Sequence, residues 1–413
     1  MKRKMANKFF YIDEKIEKYI SYDELITNLN TRNNYHPYVY ENDFYSIFES
    51  VIFSMLTDLP VVLLDYDFSE KEINNLGLSV SEINKSYSLN KKIEVNSKNF
   101  IEKIRNCKNW KLTLFTSGTT GIPKKVTHTF ETLTRGVVIK EDKKDDIWGV
   151  AYNPTHIAGV QVFMQALLNM NTIIRLFGER REKILHLIKK YNITNISATP
   201  TFYRMLLPFD KEYESVKRIT SGGEKFDKGL IVQLKKLFPN AKIINVYAAT
   251  EFGTLFASNG EYFEIKPEFY KYVKVIDSEL YVHKKLLGES DSISLNGTWY
   301  RTSDMVEVVK EKPLKIRFVN RKNEMINVGG YKVNPHEVEE VIKNYDNVKN
   351  CRVYGVKNSL MGNIVVADVV ATKKIKEKDL RLYINSMLQP YKVPRIINFV
   401  DSINVTRSGK IKR

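Results

Sequence analysis

The sequence predicts an α/β protein: a large N-terminal domain of parallel βαβ sheets with a β-rich subdomain, followed by a small α+β domain. Short β-branched segments alternate with helical periodicity between residues 180 and 250, which is typical of βαβ units in a parallel sheet. After about residue 255 the pattern becomes β-rich, and after about residue 323 a smaller α+β pattern begins. We therefore expect domains at 1–322 and 323–413.

The first long apolar stretch predicts a buried helix followed by a strand. It reads FYSIFESVIFSMLTDLPVVLLDY over residues 44–66, and Glu49, Asp58 and Pro60 within it disfavour a membrane span. The N-terminus begins basic but soon reaches Asp13, without an apolar run suited to a signal peptide. We therefore expect a cytoplasmic protein without integral membrane contact.

The region from 180 to 246 has the clearest alternation of helix and strand signals. Thr199 followed by Pro200 is typical of a helix N-cap and a first helical residue. The predicted elements are, in order, a helix over 180–191, a strand over 192–198, a helix from 200, a strand over 215–220, a helix over 227–238 and a strand over 241–246.

Three polar loops follow predicted strands. They are TSGTTG at 116–121, SGGEKF at 221–226 and YAATEFG at 247–253. Ligands of open α/β sheets bind at the carboxyl ends of the strands. The three loops therefore predict one shared site.

The C-terminal region begins with a strand-rich segment and contains one clear helix. Residues 272–287 indicate antiparallel strands, and NPHEVEEVIKNY at 334–345 indicates a helix. Asn334 is the expected N-cap, and Glu337 three residues later suits a capping box. The expected buried stripe is formed by Val338, Val341 and Ile342.

The composition describes a globular protein with an excess of basic residues. Lys and Arg number 65 against 48 acidic residues, giving a net charge of +17. A nucleic-acid partner is one interpretation, but the lysines are scattered and no nucleic-acid motif accompanies them, so solvated basic faces are favoured. Attraction of small phosphorylated ligands or an acidic partner protein is a third interpretation. The two cysteines lack metal-ligand spacing, which is typical of a reduced protein without disulfides.

The segment LFTSGTTGIPKK at 114–125 predicts a phosphate-binding loop. Its glycines allow close backbone approach, its hydroxyls add donors and Lys124 adds positive charge. It matches neither the P-loop nor the dinucleotide-binding pattern. A plain turn is the alternative for such a composition.

Ordered motifs make the chain resemble the adenylate-forming enzymes, also called AMP-dependent synthetases and ligases, of the acyl-CoA and aryl-CoA synthetase type. The resemblance covers residues from about 115 to the end. The motifs are TSGTTGIPK (116–124), NPTHIAG (153–159), SGGEKF (221–226), NVYAATE (245–251), YRTSDM (300–305), NRKNEMINVGGYKVNPHEVE (320–339) and VTRSGKIKR (405–413).

The resemblance implies a two-step ligase that uses ATP, Mg²⁺ and CoA. A carboxylate attacks the α-phosphate of ATP to form an acyl-adenylate, and the thiol of CoA then displaces AMP. The C-terminal domain would act as a mobile lid that brings Lys410 to the first step. Fatty acyl and aryl acids are both candidates, and a fatty acyl substrate is favoured.

The resemblance also assigns roles to individual residues. Lys410, Glu251 and Thr250 would be catalytic, with Glu251 as the magnesium ligand. The ATP- and AMP-binding residues would be Thr116, Ser117, Gly118, Thr119, Thr120, Gly121, Lys124, Gly222, Gly223, Glu224, Asn245, Tyr247, Ala248, Asp304 and Arg321. The remaining assignments are His156, Gly159 and Ala249 for the acid, Asn323 for the hinge, and Gly329, Gly330 and Tyr331 for the thiol tunnel.

The chain departs from the family pattern in a few places. Ala248, Ser303 and Asn320 each stand where glycine is usual. The region before the phosphate loop and that between the adenine and ribose motifs are also shorter than usual. Two alternatives therefore remain open: an enzyme that loads an acyl carrier protein, and a non-catalytic member that binds an adenylate. We expect a monomer or homodimer with no nucleic-acid partner.

Overall fold

The computed structural model describes residues 8–404, except 69, 90–91, 117–123, 209–210, 225, 227, 322–324, 329–330, 359–361 and 389. Its architecture is α/β, with mostly parallel sheets in the N-terminal part, an antiparallel sheet after them and an α+β unit at the C-terminus. The predicted fold class is therefore confirmed.

Two sheets form the N-terminal part. Their strands, with the short pair β3–β6, are β1 (Phe9–Asp13), β2 (Lys18–Ser21), β3 (Asn34–Tyr35), β4 (Tyr38–Val39), β5 (Val61–Leu63), β6 (Tyr87–Ser88), β7 (Lys111–Thr116), β8 (Lys124–Thr129), β9 (Ile147–Val150), β10 (Thr172–Arg175), β11 (Asn195–Ala198), β12 (Arg218–Gly222), β13 (Lys242–Ala249) and β14 (Gly253–Ser258). The large sheet has the order β14-β13-β12-β11-β9-β10-β1-β2, and the second sheet has the order β4-β5-β7-β8. Within the large sheet β13 through β1 run parallel, whereas the edge strands β14 and β2 are antiparallel to their neighbours.

Two further sheets follow. Their strands are β15 (Tyr262–Glu264), β16 (Val273–Ile276), β17 (Glu279–His283), β18 (Leu295–Asn296), β19 (Trp299–Glu311), β20 (Leu314–Arg321), β21 (Ile326–Val328), β22 (Tyr331–Val333), β23 (Val348–Asn358), β24 (Gly362–Ala371) and β25 (Ile396–Phe399). The antiparallel sheet has the order β15-β20-β19-β17-β16, with β18 on β19. The C-terminal sheet has the order β22-β21-β24-β23, with β25 parallel to β24.

Helices cover these sheets. The α-helices are α1 (Tyr22–Thr31), α2 (Phe44–Thr57), α3 (Glu70–Asn75), α4 (Val80–Ile83), α5 (Phe100–Arg105), α6 (Phe130–Thr134), α7 (Ile157–Leu168), α8 (Arg181–Tyr191), α9 (Pro200–Met205), α10 (Lys228–Leu237), α11 (Pro335–Lys343) and α12 (Glu377–Met387). Short 3₁₀ segments lie at Glu141–Lys143, Pro267–Tyr272, Lys284–Leu286 and Pro390–Lys392. In the part of the chain that the structure describes, no helix is long and apolar enough to cross a membrane.

The large sheet is buried on both faces, as parallel sheets usually are. On one face α2 and α7 pack together, and Phe48 stacks on Phe163 with 4.5 Å between ring centroids. On the other face α8, α9 and α10 contribute Ile184, Tyr203 and Leu234 to a separate apolar cluster. The helices thus hold the strands in place and leave the loops at the carboxyl edge to form a site.

The predicted helices and strands between 180 and 246 are confirmed, with one difference at the last strand. Thr199 caps α9, and its side chain accepts a hydrogen bond from the Phe202 amide at 3.1 Å. β13 continues to Ala249 and then returns as the antiparallel strand β14. The segment Thr250–Phe252 is therefore a tight turn between two strands, because β14 pairs with β13 directly.

The helix predicted at 334–345 is present as α11, but the prediction of a capping box is wrong. Asn334 caps the helix by accepting from the His336 amide at 3.0 Å. The Glu337 carboxylate instead accepts from Lys392 Nζ at 2.7 Å. The buried side also differs from the expected stripe. Glu339 is 2% exposed and accepts from the Val353 amide at 2.9 Å, whereas Val341 is only partly buried.

Candidate functional site

Several residues assigned from the sequence lie outside the described residues. They are Ser117, Gly118, Thr119, Thr120, Gly121, Asn323, Gly329, Gly330 and Lys410. For Thr116, Arg321 and Tyr331 only the backbone is described. Thr116 pairs with Lys124 at the adjoining ends of β7 and β8, so the strand predicted before the phosphate loop is present.

The end of β13 carries an aromatic residue that faces the antiparallel sheet. The hydroxyl of Tyr247 donates to Asp304 Oδ2 at 2.6 Å. Its ring stacks on Phe318 with 4.1 Å between centroids and lies parallel to Phe256 at 5.8 Å. The predicted adenine residue and the predicted ribose residue are therefore in direct contact.

Asp304 lies on β19 beside the strand that carries Arg321. It is 7% exposed, and its amide donates to Thr302 Oγ1 at 3.1 Å. Its register partner on β20 is Arg321, so the two predicted ribose residues occupy opposite positions of neighbouring strands. Ser303, which stands where glycine is usual in the family, adopts a left-handed backbone with φ +61. Serine thus occupies a position whose backbone conformation favours the glycine that is usual in the family.

Glu251 lies in the turn between β13 and β14. Its Oε1 accepts from the hydroxyl of Tyr300 at 3.2 Å, and its carbonyl oxygen accepts from the Gly288 amide at 2.8 Å. Among the described residues there is no group of three His, Cys, Asp or Glu that could hold a metal ion. A single carboxylate suits Mg²⁺, which usually binds one or two carboxylates together with substrate phosphates. The residues present therefore fit this ion.

His128 connects β8 to the same turn. Its ring is 1% exposed, and Nε2 donates to the carbonyl oxygen of Thr250 at 2.7 Å, while Nδ1 lies 3.2 Å from Thr132 Oγ1. Burial lowers the pKa of His128 to about 4, helped by the charge of Arg135, although the hydrogen bond to Thr250 opposes the shift. The imidazole is therefore neutral at physiological pH.

This histidine predicts a pH dependence of stability. Because its pKa is about 4 in the folded protein and 6.5 in the reference state, the unfolded chain binds the extra proton first as pH falls. The contribution of neutral His128 to the free energy of unfolding is complete above pH 6.5 and is lost as the pH falls toward 4. The loss amounts to about 3 kcal/mol. Urea unfolding of the ligand-free protein should show that the free energy of unfolding falls more between pH 7 and pH 4.5 for wild type than for His128→Gln. Equal losses in both proteins would contradict the assignment.

The glycine-rich loop after β12 is held against α9. Gly222 pairs with Val246 on β13, and Gly223 has φ +85. The Glu224 carboxylate accepts from the Thr201 hydroxyl at 2.7 Å and from the Thr201 amide at 3.1 Å. Glu224 thus ties the loop to the first turn of a neighbouring helix, which also fixes the loop relative to β13.

The other assigned residues of β13 are Asn245, Ala248 and Ala249. Asn245 Nδ2 donates to the carbonyl oxygen of Gly260 at 3.2 Å. Ala248 and Ala249 pair with Thr254 and Gly253 on β14.

His156 is joined to an aspartate that the sequence did not single out. Its Nε2 donates to Asp65 Oδ2 at 2.8 Å, and Asn153 Nδ2 donates to Oδ1 of the same carboxylate at 3.2 Å. Thr155 Oγ1 also donates to Asp65. Asp65 is 6% exposed and lies two residues after the end of β5, so an acidic residue after a predicted strand was the available signal.

A cavity lies beside the His156 loop. Its volume is about 400 Å³, within the range of small-molecule sites. Its walls include Asn153 and Thr155 from that loop, Thr199 and Phe202 at the start of α9, and Phe44 of α2. Gly159 packs behind the loop, where an added Cβ would lie 2.1 Å from the carbonyl oxygen of Asn153.

Two family models match the chain. The model described as AMP-binding enzyme matches residues 70–282, just over half of the chain. The model described as AMP-binding enzyme C-terminal domain matches residues 337–410.

Curated relatives at low identity are CoA ligases. A 2-succinylbenzoate–CoA ligase of Listeria monocytogenes is 27% identical over 324 residues, covering 73% of this chain and 68% of the relative. A 4-hydroxybutyrate–CoA ligase of Metallosphaera sedula is 28% identical over 348 residues, covering 72% of this chain and 60% of the relative. The matched part of the chain thus spans only about two thirds of the length of these relatives.

Solved structures share the fold. The o-succinylbenzoate CoA synthetase of Bacillus subtilis in complex with its acyl-adenylate intermediate has a TM-score of 0.72 at 19% identity, covering 99% of this chain and 95% of that chain. A benzoate CoA ligase of Burkholderia xenovorans has a TM-score of 0.75 at 16% identity, covering 99% and 96%. The family resemblance predicted from the motifs is confirmed by the matching models, and the chain belongs to the AMP-binding enzyme family.

Proposed function

We propose that the chain is an AMP-forming carboxylic acid–CoA ligase that uses ATP, Mg²⁺ and CoA. The observation that carries the proposal is the grouping of Tyr247, Asp304 and Glu251 at the carboxyl end of β13, linked by the Tyr247–Asp304 hydrogen bond of 2.6 Å. This edge of a parallel sheet is where α/β proteins bind ligands. CoA ligases among the relatives support the same activity.

In this proposal the nucleotide is bound by residues of several strands and by the loops after β7 and β12. Asp304 offers acceptor oxygens to a ribose diol, and Arg321 on the neighbouring strand is assigned to the same ribose. Tyr247 and the backbone of Gly222 and Gly223 line the adenine. The loop at 116–121 and Lys124 hold the terminal phosphates. Glu251 would hold Mg²⁺, which supplies charge neutralisation at the phosphates.

The lid assignments belong to this proposal. Lys410, Asn323, Gly329, Gly330 and Tyr331 take the roles that the family resemblance implies. A separate apolar core formed by β21–β25 with α11 and α12, including Val338, Ile342 and Cys351, supports a C-terminal unit that begins near residue 323. The boundary between 322 and 323 lies outside the described residues.

The acid is proposed to be small. The relatives act on 2-succinylbenzoate and 4-hydroxybutyrate, so they give no support to the long-chain fatty acid favoured from the sequence. Asn153 and Thr155, from the loop that carries His156, line the cavity of about 400 Å³. Gly159 packs behind that loop, and Ala249 ends the strand at the neighbouring site. The Asp65 hydrogen bond fixes the imidazole of His156 within the loop.

The test is pyrophosphate release from ATP and Mg²⁺ with 2-succinylbenzoate, 4-hydroxybutyrate, benzoate and fatty acids of increasing length, with and without CoA. We expect release that depends on one of the smaller acids, disappears in Lys410→Ala and yields a thioester when CoA is present. ATP binding without release for any acid would instead favour the non-catalytic alternative.

The net charge of +17 favours a second acceptor, an acidic acyl carrier protein. Replacing CoA with a phosphopantetheinylated carrier protein in the same assay separates the two acceptors. Faster thioester formation on the carrier, with a strong decrease at high salt, would favour the carrier.

A further inference from the structure

The turn that carries Glu251 is held by hydrogen bonds that the backbone carbonyl groups of its neighbouring residues accept. His128 Nε2 donates to the carbonyl oxygen of Thr250 at 2.7 Å. Arg135 Nη1 donates to the carbonyl oxygen of Phe252 at 3.4 Å. A carbonyl oxygen only accepts, so the proton of the His128 ring is on Nε2. Both donors come from β8 and the helix that follows it.

A third contact fixes the peptide of Glu251 itself. The Gly288 amide donates to the carbonyl oxygen of Glu251 at 2.8 Å. Gly288 lies so close to β8 that an added Cβ would be 2.8 Å from Val126 Cγ1 and 2.9 Å from His128 Cε1. The segment at 288 is therefore packed between the turn and β8, and only glycine fits there without a shift.

The side chain of Glu251 is held from another direction. The hydroxyl of Tyr300, on β19, donates to Glu251 Oε1 at 3.2 Å. This bond restricts the rotation of the carboxylate without neutralising it. The backbone of the turn is thus held by β8 and the segment at Gly288, whereas the side chain of Glu251 is held by β19.

We propose that His128 and Tyr300 are positioning residues that set the Glu251 carboxylate for magnesium, an inference that rests on the proposed function. β8 begins at Lys124, directly after the predicted phosphate loop. His128 therefore joins the Glu251 turn to the strand that carries this loop, while Tyr300 joins it to the strand that carries Asp304. The carboxylate is held at a set place relative to both ends of a bound ATP.

Residues behind a metal ligand orient it, and their loss typically lowers metal affinity or activity by about 10–100-fold. A purely structural role for His128 and Tyr300 predicts something else. It predicts a lower melting temperature with an unchanged requirement for Mg²⁺. The two roles are therefore separated by the magnesium dependence of ATP binding, which needs no turnover.

The experiment is equilibrium ATP binding by calorimetry across a magnesium titration, for wild type, His128→Ala, His128→Gln and Tyr300→Phe. We expect the Mg²⁺ midpoint to rise about 10-fold or more in His128→Ala and Tyr300→Phe. Binding of ATP without Mg²⁺ should stay at the wild-type level. His128→Gln should recover part of the shift, because its amide also offers a donor to a carbonyl group.

Matched controls are His186→Ala on the exposed face of α8 and Tyr19→Phe on β2, which should leave the midpoint unchanged. Tyr300→Phe removes one oxygen only, so it tests the proposal even if His128→Ala does not fold. An unchanged midpoint in folded Tyr300→Phe, and in His128→Ala where it folds, with wild type dependent on Mg²⁺, overturns the positioning role alone. Wild type without magnesium-dependent ATP binding overturns the proposed function together with it.

Discussion

Replacing Glu251 with glutamine is expected to reduce acid-dependent pyrophosphate release by about 10³-fold. The substitution keeps the shape and a hydrogen-bond acceptor for Tyr300, which lies 3.2 Å from Oε1 in the structure, but it removes the charge. A metal ion stabilises transition-state charge by several kcal/mol, and its loss has a corresponding effect on the rate. Initial rates at saturating ATP and a range of Mg²⁺ concentrations measure the effect.

The matched control is Glu289→Gln. Glu289 directly follows Gly288 in the chain, and its exposed carboxylate accepts a hydrogen bond from Lys111 Nζ at 2.7 Å. An exposed ion pair of this kind contributes little to stability, so Glu289→Gln should release pyrophosphate at the wild-type rate. If Glu251→Gln retains the rate and magnesium dependence of the control, Glu251 is not the magnesium ligand.

Replacing Gly159 with alanine is expected to lower the free energy of unfolding by about 3 kcal/mol. Gly159 is buried in the first turn of α7, and an added Cβ would lie 2.1 Å from the carbonyl oxygen and 2.8 Å from the carbonyl carbon of Asn153. Backbone atoms cannot rotate away, so the helix or the loop must move. The loop carries Asn153 and Thr155, which bind Asp65, and His156 would be displaced with them.

Urea unfolding followed by circular dichroism measures this loss. Gly136→Ala is the matched control, because its Cβ would meet its nearest neighbours, atoms of Thr254, at 3.9 Å. We expect Gly136→Ala to remain within about 0.5 kcal/mol of wild type. Equal stability of the two variants would mean that the loop yields easily and that its contacts to Asp65 are not rigid.

The sequence could place the loops after β12 and β13 at one edge of a sheet, because each follows a strand whose pattern is local. The loop after β7 was expected at the same edge, but β7 belongs to the second sheet. Asp65 could not be assigned in this way, since its partner His156 is 91 positions away, at the N-terminus of α7. Contacts between such distant segments depend on tertiary packing, which periodicity does not contain.

The same limit explains the other differences. Glu337 has the spacing of a capping box, but Lys392, 55 positions later, binds its carboxylate instead. His128 looks like an ordinary strand residue until the fold brings the carbonyl group of Thr250 to it. Local sequence patterns predict which hydrogen bonds a side chain could make, whereas the tertiary structure determines which partner lies within reach.

Tyr247 is a residue of the large sheet whose ring packs in an apolar cluster shared by both sheets, against Phe256 of β14 and Phe318 of β20. A purine lying on this ring would therefore bind to a surface that exists only while both sheets are closed together. Each local opening of β19 and β20 would release the ligand, and each bound ligand would suppress that opening by mass action. Amide hydrogen exchange along β19 and β20 thus measures how often the two sheets separate at the site.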